Sequence, residues 1–128
     1  MKGGIGMEQK EKITYIGTHG GENPEKASLP FVLANAALAM DVEAVVALQG
    51  PAVFLAKKGY LEHVHAAGFS PLKELVENFL ELGGKLLICV PCIEERKIDP
   101  SDLIENADPV AGVTLTEEIL SSKATLVY

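Results

Sequence analysis

The sequence predicts an α/β protein, a three-layer α/β/α domain built on a mainly parallel, five-stranded sheet. Strand and helix signals alternate along the chain, which is the order that parallel strands joined by crossover helices require. The run "EAVVALQG" is apolar without polar alternation, as expected of a strand buried on both faces. A chain of 128 residues predicts one domain, over residues 12–128. Residues 1–11 are Gly-rich or charged and are expected to be mobile.

Five segments rich in β-branched, aromatic or other apolar residues predict the strands. The first, "KITYIGTHGG", is expected to end near Thr18, because a Gly pair follows. The other four are "EAVVALQG", "KLLICV", "PVAGV" and "KATLVY". Each is separated from the next by a helix signal, which supports the parallel arrangement.

The first predicted helix carries no charge over "LPFVLANAALAM", residues 29–40. Asn23 is a suitable cap and Pro24 a suitable first residue, whereas Pro30 indicates that the uncharged helix either begins or kinks there. A helix that is apolar all round is normally buried all round. A chain of this size covers few helices on every side, so we expect a homo-oligomer with this helix at a subunit interface, unless loops cover its outer face.

Four later segments carry helix signals. The clearest helix opens at Ser70-Pro71 and stops at Gly83-Gly84, with apolar residues at helical spacing between them. The segment "PAVFLAKKGYLEHVHAAGF" predicts one or two short helices, and Asp99-Pro100 caps a helical turn. The pattern "TLTE" is typical of a capping box and predicts the last helix over residues 115–121.

Composition excludes several classes of function. The net charge is −7 at pH 7 and no cluster of Lys and Arg appears, which disfavours a nucleic-acid partner. The opening "MKGGIGMEQKEK" lacks the apolar region of a secretion signal. The longest uncharged run, residues 27–40, is shorter than the roughly 20 residues that cross a bilayer. No P-loop or dinucleotide fingerprint is present. We therefore expect a cytoplasmic protein without a cofactor, a metal, or a nucleic-acid or membrane partner.

The two cysteines, Cys89 and Cys92, are spaced C-x-x-C at the end of the third predicted strand. Open parallel sheets bind ligands at the carboxyl ends of their strands. Those ends are predicted to be "THGG" (18–21), "QGPA" (49–52), "CVPC" (89–92) and "GVT" (112–114). Because structural disulfides are rare in a reducing compartment, a close pair at this edge favours catalysis, redox chemistry or metal binding.

Four interpretations of the cysteine pair stay open. In the first interpretation, both thiols are buried core residues, since Cys is among the most buried residue types. Alternatively they form a thioredoxin-like dithiol, with Pro91 restricting the backbone between them. Zinc would need about four ligands, which His63 and His65 would have to complete. In the fourth interpretation a nucleophilic thiol carries a sulfur atom or a similar small group.

The other candidate pocket residues are His19, Gln49, Gly50 and Arg96. Gln49 and Gly50 end the second predicted strand and are expected to line the same edge as the cysteines. His19 follows the first strand and is either a proton donor near the thiols or a solvent-exposed loop residue. The positive charge of Arg96 favours a nearby thiolate. The pair Gly20-Gly21 either presents backbone N–H groups to an anion or only turns the chain.

Two stretches resemble the DsrE/DsrF-like family. "ICVPCIEERKI" is similar to the segment in which a strand-terminal Cys-Val leads to an Arg-Gly-hydrophobic element. "ASLPFVLANAALAMDVEAVVALQGPAVFLAKKG" is similar to the family's first long helix, second strand and following loop. The order of elements agrees from about residue 12 to the end. The chain departs from the family in one respect, since Arg96-Lys97 stands where the family has Arg-Gly.

The resemblance implies a YchN-like α/β/α fold, assembled as a trimer or hexamer. It also implies a TusD-type sulfur relay, in which a small cytoplasmic persulfide carrier or sulfurtransferase receives sulfur from a donor protein and passes it to an acceptor protein. Cys89 corresponds to the sulfur-accepting cysteine, and Cys92 would resolve its persulfide to a disulfide, releasing sulfide. Two rival functions are a dithiol redox protein or sensor using the same pair, and a non-enzymatic oligomeric binding module.

Overall fold

Five parallel strands form one sheet in the order β4-β3-β2-β1-β5, with helices on both faces. The structure is a computed structural model that describes residues 10–128. The strands are β1 (Lys12–Gly17), β2 (Glu43–Leu48), β3 (Lys85–Cys89), β4 (Ala107–Val110) and β5 (Ala124–Val127). The α-helices are α1 (Pro24–Ala39), α2 (Leu72–Glu81), α3 (Val90–Glu95) and α4 (Gly112–Leu120). The predicted three-layer α/β fold is confirmed.

Short 3₁₀ helices fill the longer connections. Two of them, Gly50–Ala56 and Tyr60–His63, follow β2 in the segment where one or two short helices were expected. The third, Pro100–Asp102, is capped by Asp99, whose carboxylate accepts from the backbone N–H of Ser101. The cap at Asp99 follows from local sequence, because a short polar side chain before a helical turn satisfies a free N–H group.

The start of α1 agrees with the sequence prediction. The side chain of Asn23 accepts a hydrogen bond from the N–H of Lys26, and Pro24 is the first helical residue. Pro30 lies inside this helix and does not begin it. The outer side of α1 is exposed, with Met40 at its end 75% accessible, so no loop within residues 10–128 covers it. The interface at this helix stays a prediction.

The last helix differs from its prediction. It begins at Gly112, and Ala111 is its N-cap without a side-chain hydrogen bond. Thr114 lies within the first turn, so the capping-box prediction is wrong, and so is the assignment of residues 112–114 to the end of a strand. Because β4 already ends at Val110, the chain enters the helix directly, and the hydroxyl of Thr116 bonds back to the carbonyl of Gly112.

Helices α1, α2 and α3 end in the same way. The residue after the cap has positive φ in each case, namely Asp41 (65°), Gly83 (93°) and Lys97 (57°). After α3, the N–H of Lys97 bonds the carbonyl of Glu94, and the N–H of Ile98 bonds that of Ile93. This pair of hydrogen bonds is the Schellman motif, which favours Gly at the left-handed position. Lys97 therefore occupies a backbone position that favours Gly.

The two faces of the sheet are covered unequally. The face under α1 and α2 carries the main core, in which Phe31 and Phe79 meet edge to face with ring centroids 5.5 Å apart. The opposite face is covered by α4 over a smaller cluster of buried residues, which are Ile16, Val45, Ala47 and Leu87. Side chains alternate between faces along each strand, which directs Cys89, two residues after Leu87, toward the α4 side, although at the strand end it also packs against the main core.

No helix within residues 10–128 is long and apolar enough to cross a membrane. The mobile segment predicted over residues 1–11 falls outside the described residues except at its end. There the carbonyl of Glu11 accepts from the N–H of Glu43, and Lys10 pairs with Asp41.

Candidate functional site

The two cysteines meet where β3 passes into α3. Cys89 is the last residue of the strand, and Cys92 lies in the first turn of the helix. They form a disulfide, with Cα atoms 5.2 Å apart, within the usual range for such bonds. Both side chains are half-buried, so neither is sealed in the interior. The C-x-x-C spacing across a strand–helix junction therefore places both sulfurs at the carboxyl edge of the sheet.

Cys92 is held by the backbone that follows β2. The N–H of Gly50 donates a hydrogen bond to Cys92 Sγ at 3.3 Å. Gly50 has a φ of +55°, a left-handed conformation that glycine adopts at little cost. An N–H donor at this sulfur stabilises negative charge that develops on it when the disulfide opens. The sequence placed Gly50 at this edge, and the structure adds that its backbone contacts the second sulfur.

Cys89 faces a different environment. It lines a cavity of about 120 Å³ on the α4 side of the sheet. The other lining residues are mostly apolar and come from three strand ends and the start of α4: Ala47, Leu48, Gln49, Leu87, Pro91, Val110, Ala111, Gly112 and Leu115. Cys92 is not among them. A small molecule in this cavity would therefore meet one sulfur of the pair.

Two further predicted pocket residues lie beside the pair. Gln49 lines the cavity, and its backbone N–H is bound to the carbonyl of Gly17. Arg96 donates from Nη1 to the backbone carbonyl of Cys92 at 3.2 Å. This hydrogen bond fixes the guanidinium group to the helix that carries Cys92, within one turn of the sulfur.

His19 is not brought to the cysteines by a hydrogen bond within the described chain. Its Nδ1 lies 2.9 Å from a carboxylate oxygen of Glu22. The other oxygen of Glu22 accepts from the N–H of Gly20, and the N–H of Gly21 donates to the hydroxyl of Tyr60. Burial alone would raise the pKa of Glu22, but the hydrogen bonds from His19 and the backbone outweigh it and lower that pKa. The predicted N–H groups are thus already occupied by side chains of this protein.

The zinc interpretation finds no ligand set in residues 10–128. No three side chains of the His, Cys, Asp or Glu types lie close enough there to hold a metal ion. His63 and His65 are both exposed, and His65 Nε2 lies 2.9 Å from the carbonyl of Phe69.

A larger cavity lies at the opposite, amino edge of the sheet, with a volume of about 370 Å³. Most of its charged residues pair with one another. Glu118 of α4 is 8% exposed and accepts hydrogen bonds from Lys12 Nζ and Lys85 Nζ, both at 2.7 Å. Because these charges are already neutralised within the chain, we place the candidate site at the smaller cavity, where the sulfurs are.

Sequence reasoning missed the contribution of α4 to the site. Ala111, Gly112 and Leu115 close one side of the cavity, although residues 112–114 were expected to end a strand. The position of this segment at the carboxyl edge was right, and its secondary structure was wrong. Leu115 and Ile119 both lie within the helix predicted over residues 115–121, so the error concerns only its first turn.

Comparisons with known proteins agree with this architecture. A sequence model of the DsrE/DsrF-like family matches residues 11–128. The uncharacterized protein MJ0760 of Methanocaldococcus jannaschii is 32% identical over 118 residues, which cover 88% of this chain and 42% of MJ0760. The uncharacterized protein MJ0989 of the same organism is 31% identical over 96 residues, covering 75% of this chain and 81% of MJ0989. The chain thus spans less than half of the first relative and most of the second.

Two solved structures share the fold. The YchN protein from E. coli superimposes with a TM-score of 0.73 at 16% identity, covering 92% of this chain and 99% of YchN. The protein of unknown function MTH1491 from Methanobacterium thermoautotrophicum gives a TM-score of 0.64 at 16% identity, covering 94% and 100% of the two chains. At such identities the likeness concerns the fold alone.

Proposed function

Because the chain belongs to the DsrE/DsrF-like family, we propose that it is a sulfur-relay protein that carries persulfide sulfur on Cys89. The family is associated in general with sulfur relay. The proposal includes a donor protein that loads Cys89, an acceptor protein that unloads it, a homo-oligomeric state and a cytoplasmic location. Cys92 acts as the resolving thiol.

The observation that carries the proposal is the position of the two sulfurs. Cys89 Sγ borders a small cavity, and Cys92 Sγ lies in contact with it on the side of Gly50. A carrier needs one sulfur that a donor can reach and space for one more sulfur atom beyond it. The cavity provides that space, and its lining is mostly apolar.

The chemistry is thiol exchange in the reduced protein. The Cys89 thiolate attacks the outer sulfur of a donor persulfide R–S–SH, forming a new S–S bond while the donor's S–S bond breaks and R–S⁻ leaves. An acceptor thiolate then attacks the same outer sulfur and returns Cys89 to the thiolate. In the alternative exit, the Cys92 thiolate attacks Cys89 Sγ, which forms the Cys89–Cys92 disulfide and expels hydrosulfide. An external thiol then reduces the disulfide.

Sulfur loading tests the proposal directly. The protein is reduced, freed of reductant, treated with glutathione persulfide and weighed intact. We expect wild type to gain one sulfur atom and Cys89→Ser to gain none. Cys92→Ser is the matched control, and we expect it to load and to hold the sulfur longer, because its resolving thiol is gone. Because Cys92 can resolve the wild-type persulfide, the comparison that decides is between the two variants: equal gains by Cys92→Ser and Cys89→Ser, or no gain by Cys92→Ser, would contradict the proposal.

The disulfide itself favours a second candidate, a dithiol redox protein or sensor that uses Cys89 and Cys92. This function exchanges two electrons and transfers no sulfur. A redox titration in glutathione buffers, followed by thiol labelling, would then give a reversible two-electron transition. If the protein shows this reversible transition and takes no sulfur from a persulfide donor, the redox function is favoured over the relay.

A further inference from the structure

We infer that the oxidised protein takes up hydrosulfide, which attacks Cys89 Sγ from the cavity and leaves a persulfide on Cys89. The inference rests on the proposed function, because it uses the same sulfur atom as the carrier. It adds a substrate, inorganic sulfide, and a second way of loading that needs no donor persulfide.

The cavity decides which sulfur is attacked. It is lined by Cys89 and not by Cys92. A nucleophile in this space therefore meets Cys89 Sγ, while Cys92 Sγ lies beside the N–H of Gly50. Attack at one defined sulfur places the new persulfide on the residue that the relay uses.

The environment of Cys92 suits a leaving group. Thiol–disulfide exchange is faster when the departing thiolate is more stable. When the bond breaks, the electron pair goes to Cys92 Sγ, which already accepts a hydrogen bond from Gly50 N at 3.3 Å. That donor stabilises the thiolate as it forms, without rearrangement of the backbone.

The size of the cavity selects a small nucleophile. Its volume of about 120 Å³ accommodates a few water-sized molecules. Hydrosulfide is one heavy atom and fits, whereas the whole of a tripeptide thiol such as glutathione does not.

The reaction balances without an added oxidant. HS⁻ forms a bond to Cys89 Sγ, the Cys89–Cys92 bond breaks, and the products are a Cys89 persulfide and a Cys92 thiolate. The disulfide supplies the two oxidising equivalents that convert sulfide to sulfane sulfur. The step is the reverse of the exit in which Cys92 expels hydrosulfide, so the sulfide concentration sets its direction.

The test starts from the full-length oxidised protein, shown by mass to lack free thiols. It is mixed with sodium sulfide without oxygen, alkylated with iodoacetamide, weighed and mapped by peptide. We expect the mass of one hydrogen sulfide and two carbamidomethyl groups to be added, with the extra sulfur on Cys89. Sulfur found on Cys92, or no adduct from a verified disulfide, would overturn the inference.

Two alanines of β2 provide a matched pair of variants. Ala47 lines the cavity and Ala44 does not, and each is 3% exposed. Ala47→Val fills part of the cavity, and we expect it to slow adduct formation by about tenfold. Ala44→Val makes the same change on the opposite face and should leave the rate unchanged. Equal rates in the two variants would show that the cavity is not the route.

A third variant keeps the test decisive if Ala47→Val folds poorly. Leu115→Ala widens the cavity from the α4 side, and we expect the rate with glutathione to rise relative to the rate with hydrosulfide. An unchanged ratio would contradict size selection. Loading of the reduced protein by glutathione persulfide is independent of this reaction. If that loading succeeds and hydrosulfide uptake fails, the inference is wrong and the relay stands; if neither occurs, the relay itself fails.

Discussion

The two edges of the sheet are built from opposite kinds of residue. At the amino edge, Lys12 and Lys85 begin β1 and β3 and donate to Glu118, beside a cavity of about 370 Å³. At the carboxyl edge, β3 ends in Cys89, beside a mostly apolar cavity of about 120 Å³. The amino edge has more charge and more space, yet most of its charged residues form ion pairs with one another.

This difference indicates that the amino edge stabilises the fold and that the carboxyl edge carries the candidate chemistry. The hydrogen bonds from Lys12 and Lys85 to Glu118 join α4 to the first residues of two strands, so they fix the helix against the sheet. Held in this way, α4 brings Leu115 over the other edge, where it closes the cavity beside Cys89. We therefore expect changes at the amino edge to affect folding and changes at the carboxyl edge to affect sulfur chemistry.

The largest expected effect on stability comes from Glu118→Gln. This change leaves Lys12, whose side chain is only 18% exposed, without its carboxylate, while Lys85 is exposed enough to be solvated. We expect the free energy of unfolding to fall by about 2 kcal/mol, measured by urea denaturation.

The neighbouring exposed residue supplies the control, because Glu117→Gln removes the same charge without breaking a buried pair. Sulfur loading of Cys89 should be the same in both variants. A loss of stability no larger than that of Glu117→Gln would show that the amino edge does not anchor the helix.

A smaller effect is expected from pH. Burial alone would raise the pKa of Glu118, but hydrogen bonds from Lys12 and Lys85, with their charges, outweigh it and lower that pKa from its ordinary value of 4.5. A carboxyl group with a lowered folded-state pKa stabilises the protein fully above its unfolded-state pKa, and this contribution is lost as the pH falls through the folded value.

Urea denaturation between pH 7 and pH 3 tests whether stability is lost as the pH falls. We expect the stability of wild type to decrease below about pH 4.5 more steeply than that of Glu118→Gln, which has lost the titrating group. Parallel curves for the two proteins would mean that the Glu118 cluster makes no pH-dependent contribution.

The smallest effect is expected at the helix that carries Cys92. Lys97 has a φ of +57° at the end of α3, a conformation that costs a residue with a Cβ atom more than it costs Gly. Lys97→Gly should raise the free energy of unfolding by about 0.5–1 kcal/mol, measured by the shift of the urea midpoint.

Lys97→Ala is the control, because it removes the same charge and keeps the Cβ atom. It should give no comparable gain. If Ala and Gly stabilise equally, the effect belongs to the lost charge and not to the backbone conformation.

Much of the fold could be predicted because its signals are local. The five strands, the cap at Asn23 and the cap at Asp99 each depend on a few neighbouring residues, and all are present. The cysteine pair was placed at the carboxyl edge for the same reason, since a strand followed by a turn shows where it ends. The capping-box prediction for the last helix failed because β4 ends earlier than expected and the chain enters α4 at Gly112.

The sequence by itself determined that two thiols, three residues apart, lie at the end of a buried parallel strand. Only the tertiary structure decided that they differ. Gly50 reaches Cys92 across 42 residues of chain, and α4 covers Cys89 from a segment well beyond it. The physical reason is that sequence patterns report contacts within one turn or one strand. The environment of a sulfur atom is set by groups that only the packing of helices on the sheet brings together.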